Sequence, residues 1–376
     1  MARRSVAMLG IGAALAGGAA LGFLAERVVV RGKLVPDLEP VDVPLGSLAG
    51  ELSTFTGPRG TEVTVETYGP ADAPELVLAH GWVCTGRAWH EQVARLADRY
   101  RIVTYDQPGH ARSSPPEGGD YDLDLLGDTF VEVVRRHTRG GRVVTAGHSL
   151  GGITLLNAAR RYPDEIADRL AGAVLLSTTS SARSERLGFE LGIRAAARLD
   201  RGIRRLVPAL RDPRVIRATE RITASTSDLS FLIARWTGVG PDADPEVVAF
   251  TQEMVLSCGT DVVLGLVGAV LAVDEDAGLA ALADVPTTLV VGSRDRLTPA
   301  TLTRRMAEHS QAAVVELEGV GHMSLLEAGE RVSDVLRRHL DGEVERDEDG
   351  RWELAGSGED DWRRIDPDTA VARETG

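Results

Sequence analysis

Gly147-His148-Ser149-Leu150-Gly151-Gly152 lies between a short apolar run, residues 142–146, and a helix-length segment, residues 150–161. A serine within G-x-S-x-G at such a strand-to-helix corner is lifted above the sheet edge, because the flanking glycines permit a turn that a β-carbon would obstruct. The following helix points its N-terminal amides and the positive end of its dipole at this position. We therefore predict that Ser149 is a nucleophile; the alternative is a glycine-rich turn without chemistry.

Short apolar runs alternate with helix-length segments on both sides of this corner. The runs are rich in Val, Leu and Ile and are bounded by Gly, Pro or charge, a pattern typical of buried parallel strands. The predicted strands are 75–79, 101–105, 142–146, 171–177, 287–291 and 313–317, and the predicted helices are 87–98, 123–137, 150–161, 299–309 and 325–340. This alternation predicts an α/β fold with a parallel sheet and right-handed crossovers.

A serine hydroxyl is a weak nucleophile, so a histidine has to remove its proton and a carboxylate has to orient that histidine. Among the eight histidines, His322 follows the last predicted strand and precedes the final helix, and Asp295 lies in the loop after the penultimate strand. Ser, Asp, His is the chain order that accompanies a G-x-S-x-G serine. We predict Ser149 as nucleophile, His322 as general base and Asp295 as the orienting carboxylate. A surface histidine and a helix-capping aspartate are the alternatives.

Acyl transfer creates an oxyanion that needs two amide donors, one of them from a different strand end. Trp82 follows the predicted strand 75–79, so its backbone N–H and that of Leu150 are predicted to form an oxyanion hole. The side chains of Trp82 and His148 are predicted to contact substrate. A tryptophan in the core is an equally good interpretation of Trp82.

The N-terminus carries an uncharged stretch, residues 6–25, directly after Arg3 and Arg4. Its length suits a membrane-spanning helix, and its charged start and small residues suit a cleaved export signal. We therefore predict that residues 1–31 place the protein in the cell membrane through a single N-terminal helix, or direct its secretion. Residues 32–60 are interrupted by prolines without a sustained period and are predicted to be a linker.

The catalytic domain is predicted to span residues 61–340 and to contain one long insertion. Residues 178–285 separate two predicted strands, are mostly helical in pattern and are too long for a loop, so they are predicted to form a helical cap. After residue 341 the chain is dominated by Asp, Glu, Arg and Gly. Residues 341–376 are therefore predicted to be an acidic disordered tail.

Composition narrows the set of partners. The 42 Lys and Arg residues face 56 Asp and Glu residues, and the resulting charge of −14 disfavours nucleic acid, because phosphate binding relies on clustered cations. The two cysteines, Cys84 and Cys258, are far apart in sequence and lack CxxC spacing, which indicates neither a disulfide framework nor a zinc site.

Taken together, the motifs resemble those of the α/β-hydrolase superfamily over residues 61 to about 340. They are HGW at 80–82, DQPGHARS at 106–113, GHSLGG at 147–152, GSRD at 292–295 and GVGH at 319–322. The resemblance implies an eight-stranded, mostly parallel sheet flanked by helices, a variable cap and no cofactor. Serine at position 149 separates the chain from haloalkane dehalogenases and epoxide hydrolases, which are similar but carry aspartate there. Ala111 departs from the glycine usual in the family's turn.

The expected function is a serine hydrolase that cleaves small carboxylic esters, with apolar or lipid-like acyl groups, through an acyl-serine intermediate. Three alternatives remain open. The HGW motif is similar to that of cofactor-free haloperoxidases and perhydrolases, and the same residues would serve amide or thioester hydrolysis. A fold of this kind that only binds a ligand is the non-enzymatic alternative.

Overall fold

The computed structural model describes residues 43–181, 235 and 238–355. The predicted anchor or export segment, residues 1–31, lies outside the described residues. So do most of the predicted cap before residue 238 and the last part of the predicted tail, residues 356–376.

One sheet of eight strands runs through the described residues. Its strands are β1 (Glu51–Thr56), β2 (Glu62–Tyr68), β3 (Glu75–Ala79), β4 (Arg101–Tyr105), β5 (Val143–His148), β6 (Leu170–Leu176), β7 (Thr287–Gly292) and β8 (Ala313–Leu317). Their order across the sheet is β1-β2-β4-β3-β5-β6-β7-β8. β2 pairs antiparallel with β1 and β4, and every other pair of neighbours is parallel. The expected mostly parallel eight-stranded sheet is confirmed.

Helices cover both faces of this sheet. They are α1 (His90–Leu96), α2 (Leu123–His137), α3 (Leu150–Arg161), α4 (Pro163–Arg169), α5 (Pro245–Ser257), α6 (Thr260–Leu271), α7 (Asp276–Ala281), α8 (Ala300–Glu308), α9 (Ser324–Glu327) and α10 (Gly329–Leu340). Apolar residues of α1, α9 and α10 form one core cluster with the sheet, and those of α2, α3 and α8 form another. Strands covered on both faces have to be apolar almost throughout, which is why β3, β5 and β7 could be read from the sequence.

Within the described residues, no single helix is both long and apolar enough to cross a bilayer. Two helices, Pro245–Ser257 and Asp261–Leu271, satisfy the length and composition requirements only as a pair bent by 103°.

The predicted linker, residues 32–60, is wrong over its second half, because β1 lies within it. β1 pairs antiparallel with β2 from Glu51↔Thr67 to Thr56↔Glu62. All but one of its side chains are exposed, and Phe55 is half-buried. This edge strand is therefore held by backbone hydrogen bonds rather than by side-chain burial, and it leaves no apolar pattern in the sequence.

The predicted disordered tail is also wrong over its first part. Residues 344–346 and 352–354 form an antiparallel hairpin of two strands, β9 (Val344–Arg346) and β10 (Trp352–Leu354). The amide of Trp352 donates to the Gln311 carbonyl at 2.7 Å, and Leu354 is only 5% exposed within the core. Side-chain bonds also attach the hairpin, since Arg346 donates to the Ala283 carbonyl and to Asp284, and Trp352 Nε1 donates to the Ala283 carbonyl. These contacts between distant segments are not visible in a charge-rich composition.

The described part of the predicted cap divides into two regions. Val262 and Leu266 of α6 pack on Leu150 and Ile153 at the start of α3, next to the predicted nucleophile. In contrast, α7 belongs to the body of the domain, because a β-carbon on Gly278 would lie 1.9 Å from the Leu156 carbonyl oxygen. The predicted boundary at residue 285 is therefore too late.

Three of the buried histidines of the described domain, His110, His148 and His339, have strongly perturbed pKa values. Burial lowers the pKa of each of them to about 3. In an unfolded chain a histidine titrates near 6.5. Between these values the unfolded state binds more protons than the native state, so lower pH favours unfolding.

We expect the free energy of unfolding to fall as the pH is lowered from about 6.5 towards 3, by at most about 1.4 kcal/mol per pH unit for each histidine. His339→Gln should make the decline shallower, since a glutamine stays neutral and can still bond the Thr288 hydroxyl, which lies 2.9 Å from His339 Nε2. Urea unfolding at a series of pH values measures both. Identical slopes for wild type and variant would contradict the expectation.

Candidate active site

Ser149 occupies a strained corner between β5 and α3. Its backbone has φ +52° and ψ −116°, a conformation that costs a non-glycine residue free energy. The corner is fixed from both sides, because the Ser149 amide donates to the Leu176 carbonyl at 2.9 Å and the Thr178 hydroxyl donates to the Ser149 carbonyl at 2.7 Å. The side chain is half-buried. The structure thus places Ser149 at the strand-to-helix turn that the sequence predicts.

Close backbone approach explains the glycine at position 151. A β-carbon there would lie 2.1 Å from the Ala79 carbonyl oxygen at the end of β3. The start of α3 therefore reaches the end of β3 directly. As a result the following loop lies beside the corner, where a β-carbon on Gly81 would be 3.3 Å from Ser149 Cβ.

Asp295 and His322 form a buried pair. His322 Nδ1 lies 2.9 Å from Asp295 Oδ2, and the Asp295 side chain is fully buried. The amides of Leu297 and Thr298 donate to Asp295 Oδ1 at 2.9 Å each, and the Thr298 hydroxyl donates to Oδ2 at 2.8 Å. Burial alone would raise the pKa of Asp295, but the facing imidazole and the Thr298 hydrogen bonds bring this pKa below its usual value. The carboxylate is therefore ionised and can hold a proton on His322 Nδ1.

His148 connects the Ser149 corner to the His322 loop. Its Nε2 lies 2.9 Å from the His322 carbonyl oxygen, and the two rings are 5.0 Å apart between centroids. Among these described side chains, no hydrogen bond joins the Ser149 hydroxyl to His322; such bonds often shorten only when substrate is bound. His148 is 1% exposed, which contradicts its predicted contact with substrate. The ring supports the His322 backbone instead.

The two amides predicted as an oxyanion hole lie on either side of the corner. Leu150 is the first residue of α3, and Trp82 lies in the loop next to Ser149. Neither amide donates a hydrogen bond to another described residue. Val83, directly after Trp82, has φ +56°, which is strained for a β-branched residue and fixes the direction of this loop.

The Trp82 side chain is half-buried and packs against a small apolar cluster. This cluster contains Leu150 and Ile153 from α3 and Val262 and Leu266 from α6. Trp82 Nε1 is buried without a partner among the described residues. The side chain thus contributes to packing, and its predicted contact with substrate stays a prediction.

Thr298 was missed in the sequence analysis. It donates two hydrogen bonds to Asp295 and lies 3.3 Å from His322 Nδ1. The signal was present as Asp295-x-x-Thr298-Pro299, an arrangement typical of a carboxylate that caps a turn. Asp295 therefore both caps a turn and binds the histidine, and the two interpretations are not exclusive.

Among the residues that the structure describes, no group of three or more His, Cys, Asp or Glu side chains is arranged to hold a metal ion.

The sequence model of the alpha/beta hydrolase family matches residues 76–335, which is more than half of the chain. The chain belongs to the alpha/beta hydrolase family. The matched region of this hydrolase-family chain contains the strands from β4 to β8, all but the first residue of β3, and the loops after β5, β7 and β8. The resemblance in the sequence motifs is confirmed.

Individual relatives cover only part of this hydrolase-family chain. It is 34% identical over 119 residues to a bifunctional esterase/perhydrolase of Acinetobacter calcoaceticus, which is 31% of this chain and 41% of that protein. It is 32% identical over 128 residues to a non-heme chloroperoxidase of Streptomyces lividans, 34% of this chain and 44% of that one. The chain thus matches about two fifths of the length of these relatives.

Solved structures share the fold over a longer stretch. A thermophilic esterase from Thermogutta terrifontis superposes with a TM-score of 0.61 at 22% identity, covering 78% of this chain and 99% of that one. At this identity the likeness establishes the shared fold alone.

Two Gly→Ala substitutions in helices should have opposite effects on stability. Gly151→Ala places a methyl group 2.1 Å from the Ala79 carbonyl and should cost about 1–3 kcal/mol or more. In Gly268→Ala of α6 the new methyl group meets no atom of the described residues within 4 Å, so this substitution should stabilise the fold by up to about 1 kcal/mol through helix propensity. Urea unfolding of both variants measures this. Equal stabilities would show that the approach of α3 to β3 is not tight.

Proposed function

We propose that the protein is a serine hydrolase that cleaves carboxylic esters. The observation that carries the proposal is the buried Asp295–His322 pair, with 2.9 Å between Oδ2 and Nδ1, positioned next to the strained corner of Ser149. With Nδ1 bound to the carboxylate, Nε2 is the nitrogen available as a base.

In this mechanism His322 Nε2 takes the proton of the Ser149 hydroxyl as Oγ attacks the ester carbonyl. The amides of Trp82 and Leu150 stabilise the negative charge that develops on the carbonyl oxygen. His322 then returns the proton to the leaving alcohol, which leaves an acyl group on Ser149. A water molecule, deprotonated by the same nitrogen, releases the carboxylic acid and restores the serine.

The acyl group is proposed to be apolar. Support comes from the cluster next to Ser149, where Trp82, Leu150 and Ile153 meet Val262 and Leu266 of α6. An alkyl chain that packs along the half-buried Trp82 side chain, at the edge of this cluster, gains about 0.8 kcal/mol for each methylene removed from water. A charged acyl group would lose its hydration there without a partner.

Perhydrolysis is the second candidate, favoured by the similarity to a protein named as an esterase/perhydrolase and to a non-heme chloroperoxidase. It requires the same acyl-serine, with hydrogen peroxide replacing water in the second step and a peracid as product. Assays with and without peroxide distinguish the two.

The triad should behave as one proton-transfer unit. Ser149→Ala and His322→Ala should each abolish most of kcat, and the double variant should lose little more than either alone. Asp295→Asn should lower kcat by about 10⁴-fold, by analogy with the serine protease in which that change was measured, because the histidine is held in the wrong tautomer. Ester binding should change little, since these groups act in the transition state.

Turnover of p-nitrophenyl butyrate and labelling by a fluorophosphonate probe measure these effects. Ser149→Ala should escape labelling. If that variant is labelled or hydrolyses the ester as wild type does, the serine mechanism is wrong; multiplying losses in the double variant would show that Ser149 and His322 act separately.

Substitutions in α6 should alter acyl preference. Leu266→Ala and Val262→Ala remove methyl groups from the apolar cluster next to Leu150 and so open space for a longer acyl chain. The ratio of kcat/KM for the octanoyl ester over the butyryl ester should therefore rise. The expected rise is about fourfold per additional methylene accommodated, or ~0.8 kcal/mol. Val255→Ala, at a residue that is 39% exposed on α5, serves as the control. An unchanged chain-length profile in folded Leu266 and Val262 variants would remove α6 from the acyl site.

A further inference from the structure

A second carboxylate, Glu327, lies close to the catalytic histidine and has no role in the mechanism above. It ends α9, five residues after His322, and only its Oε2 is hydrogen-bonded. That one oxygen accepts the amide of Gly321 at 3.0 Å and the amide of Gly240 at 2.7 Å. Its Oε1 is buried with no partner among the described residues.

The two amides belong to different parts of the chain. Gly321 immediately precedes His322, whereas Gly240 lies within the long insertion, five residues before α5. Their backbones touch, since a β-carbon on Gly321 would lie 2.2 Å from the Gly240 nitrogen. The Met323 amide also donates to the Gly238 carbonyl at 2.9 Å. Glu327 therefore joins the backbone on the N-terminal side of His322 to the segment of the insertion that precedes α5.

His322 is consequently held at three points. Asp295 binds its ring through Nδ1, His148 binds its carbonyl, and Glu327 binds the amide of the residue before it. The last two contacts fix the backbone from which the ring projects, so they determine where Nε2 lies relative to Ser149. Displacements of about 1 Å at such a position can reduce turnover by about 100-fold.

A carboxyl group at this position lowers the stability of the fold. Burial raises the pKa of Glu327, although the two amide hydrogen bonds and the nearby His322 oppose the rise, and Asp295 adds to it. A buried carboxyl with one unpartnered oxygen costs stability that an apolar side chain would not. The glutamate supplies one acceptor oxygen to two amides, and an apolar side chain has no acceptor to offer.

We propose that Glu327 is a positioning residue for the general base, which couples the backbone before His322 to the segment of the insertion before α5 through one acceptor oxygen. The proposal rests on the proposed serine hydrolase function. It attributes the effect to hydrogen-bond acceptance at the two amides, so a glutamine should replace the glutamate and an alanine should not.

Four variants of the full chain test this, namely Glu327→Ala, Glu327→Gln, Glu327→Asp and, as a control, Glu330→Ala, whose side chain is exposed on the next helix. We expect Glu327→Ala to lower kcat for p-nitrophenyl butyrate and the rate of fluorophosphonate labelling by about 10- to 100-fold, with KM unchanged. Glu327→Gln should stay near the wild-type rate. Glu327→Asp keeps the charge but is one methylene shorter, so it should be impaired. Near-ultraviolet circular dichroism checks folding.

Two outcomes overturn the proposal: folded Glu327→Ala at the wild-type rate, or equal losses in the Ala and Gln variants, because charge rather than acceptance would then be responsible. If Glu327→Ala does not fold, the comparison of Gln with Asp decides, and equal rates for these two overturn the proposal. A failure of the proposed function looks different. In that case wild type is not labelled, or Ser149→Ala is labelled equally well, whatever residue stands at position 327.

Discussion

The close approach of α3 to the end of β3 is the constraint on which the site depends. It requires a residue without a β-carbon at Gly151, and it forces Ser149 into a left-handed conformation between the strand and the helix. The same approach brings the loop of Gly81 and Trp82 against the corner, so Ser149, the proposed nucleophile, and the two candidate oxyanion amides are positioned together. The strain at Ser149 persists because hydrogen bonds to Leu176 and from Thr178 hold both sides of its peptide backbone.

Two buried carboxylates near His322 illustrate how hydrogen bonding decides the state of an acid. Asp295 has partners on both oxygens, supplied by two amides, a hydroxyl and an imidazole, and its pKa is lowered in spite of complete burial. Glu327 has partners on one oxygen only, and its pKa is raised. The difference follows from the number of donors that face the charge, since burial acts in the same direction on both.

The sequence predicted what depends on local pattern. Buried parallel strands are apolar throughout, and Ser149, Asp295 and His322 each follow one of them, so the strands and the grouping of these residues at one sheet edge could be anticipated. β1 could not, because an edge strand relies on backbone pairing with exposed side chains. The orientation of His148 and the two amides that meet at Glu327 depend on contacts between distant segments, which periodicity does not encode.

The long insertion is bonded through its main chain at two places. The Ser180 carbonyl at its start accepts the amide of Glu275, the residue before α7, at 2.7 Å, and the Met323 amide donates to the carbonyl of Gly238, farther inside the insertion. Both bonds use main-chain groups, so they do not depend on the side chains between them. The sequence between these positions can therefore diverge during evolution, or be exchanged in the laboratory for that of a relative, without loss of either bond.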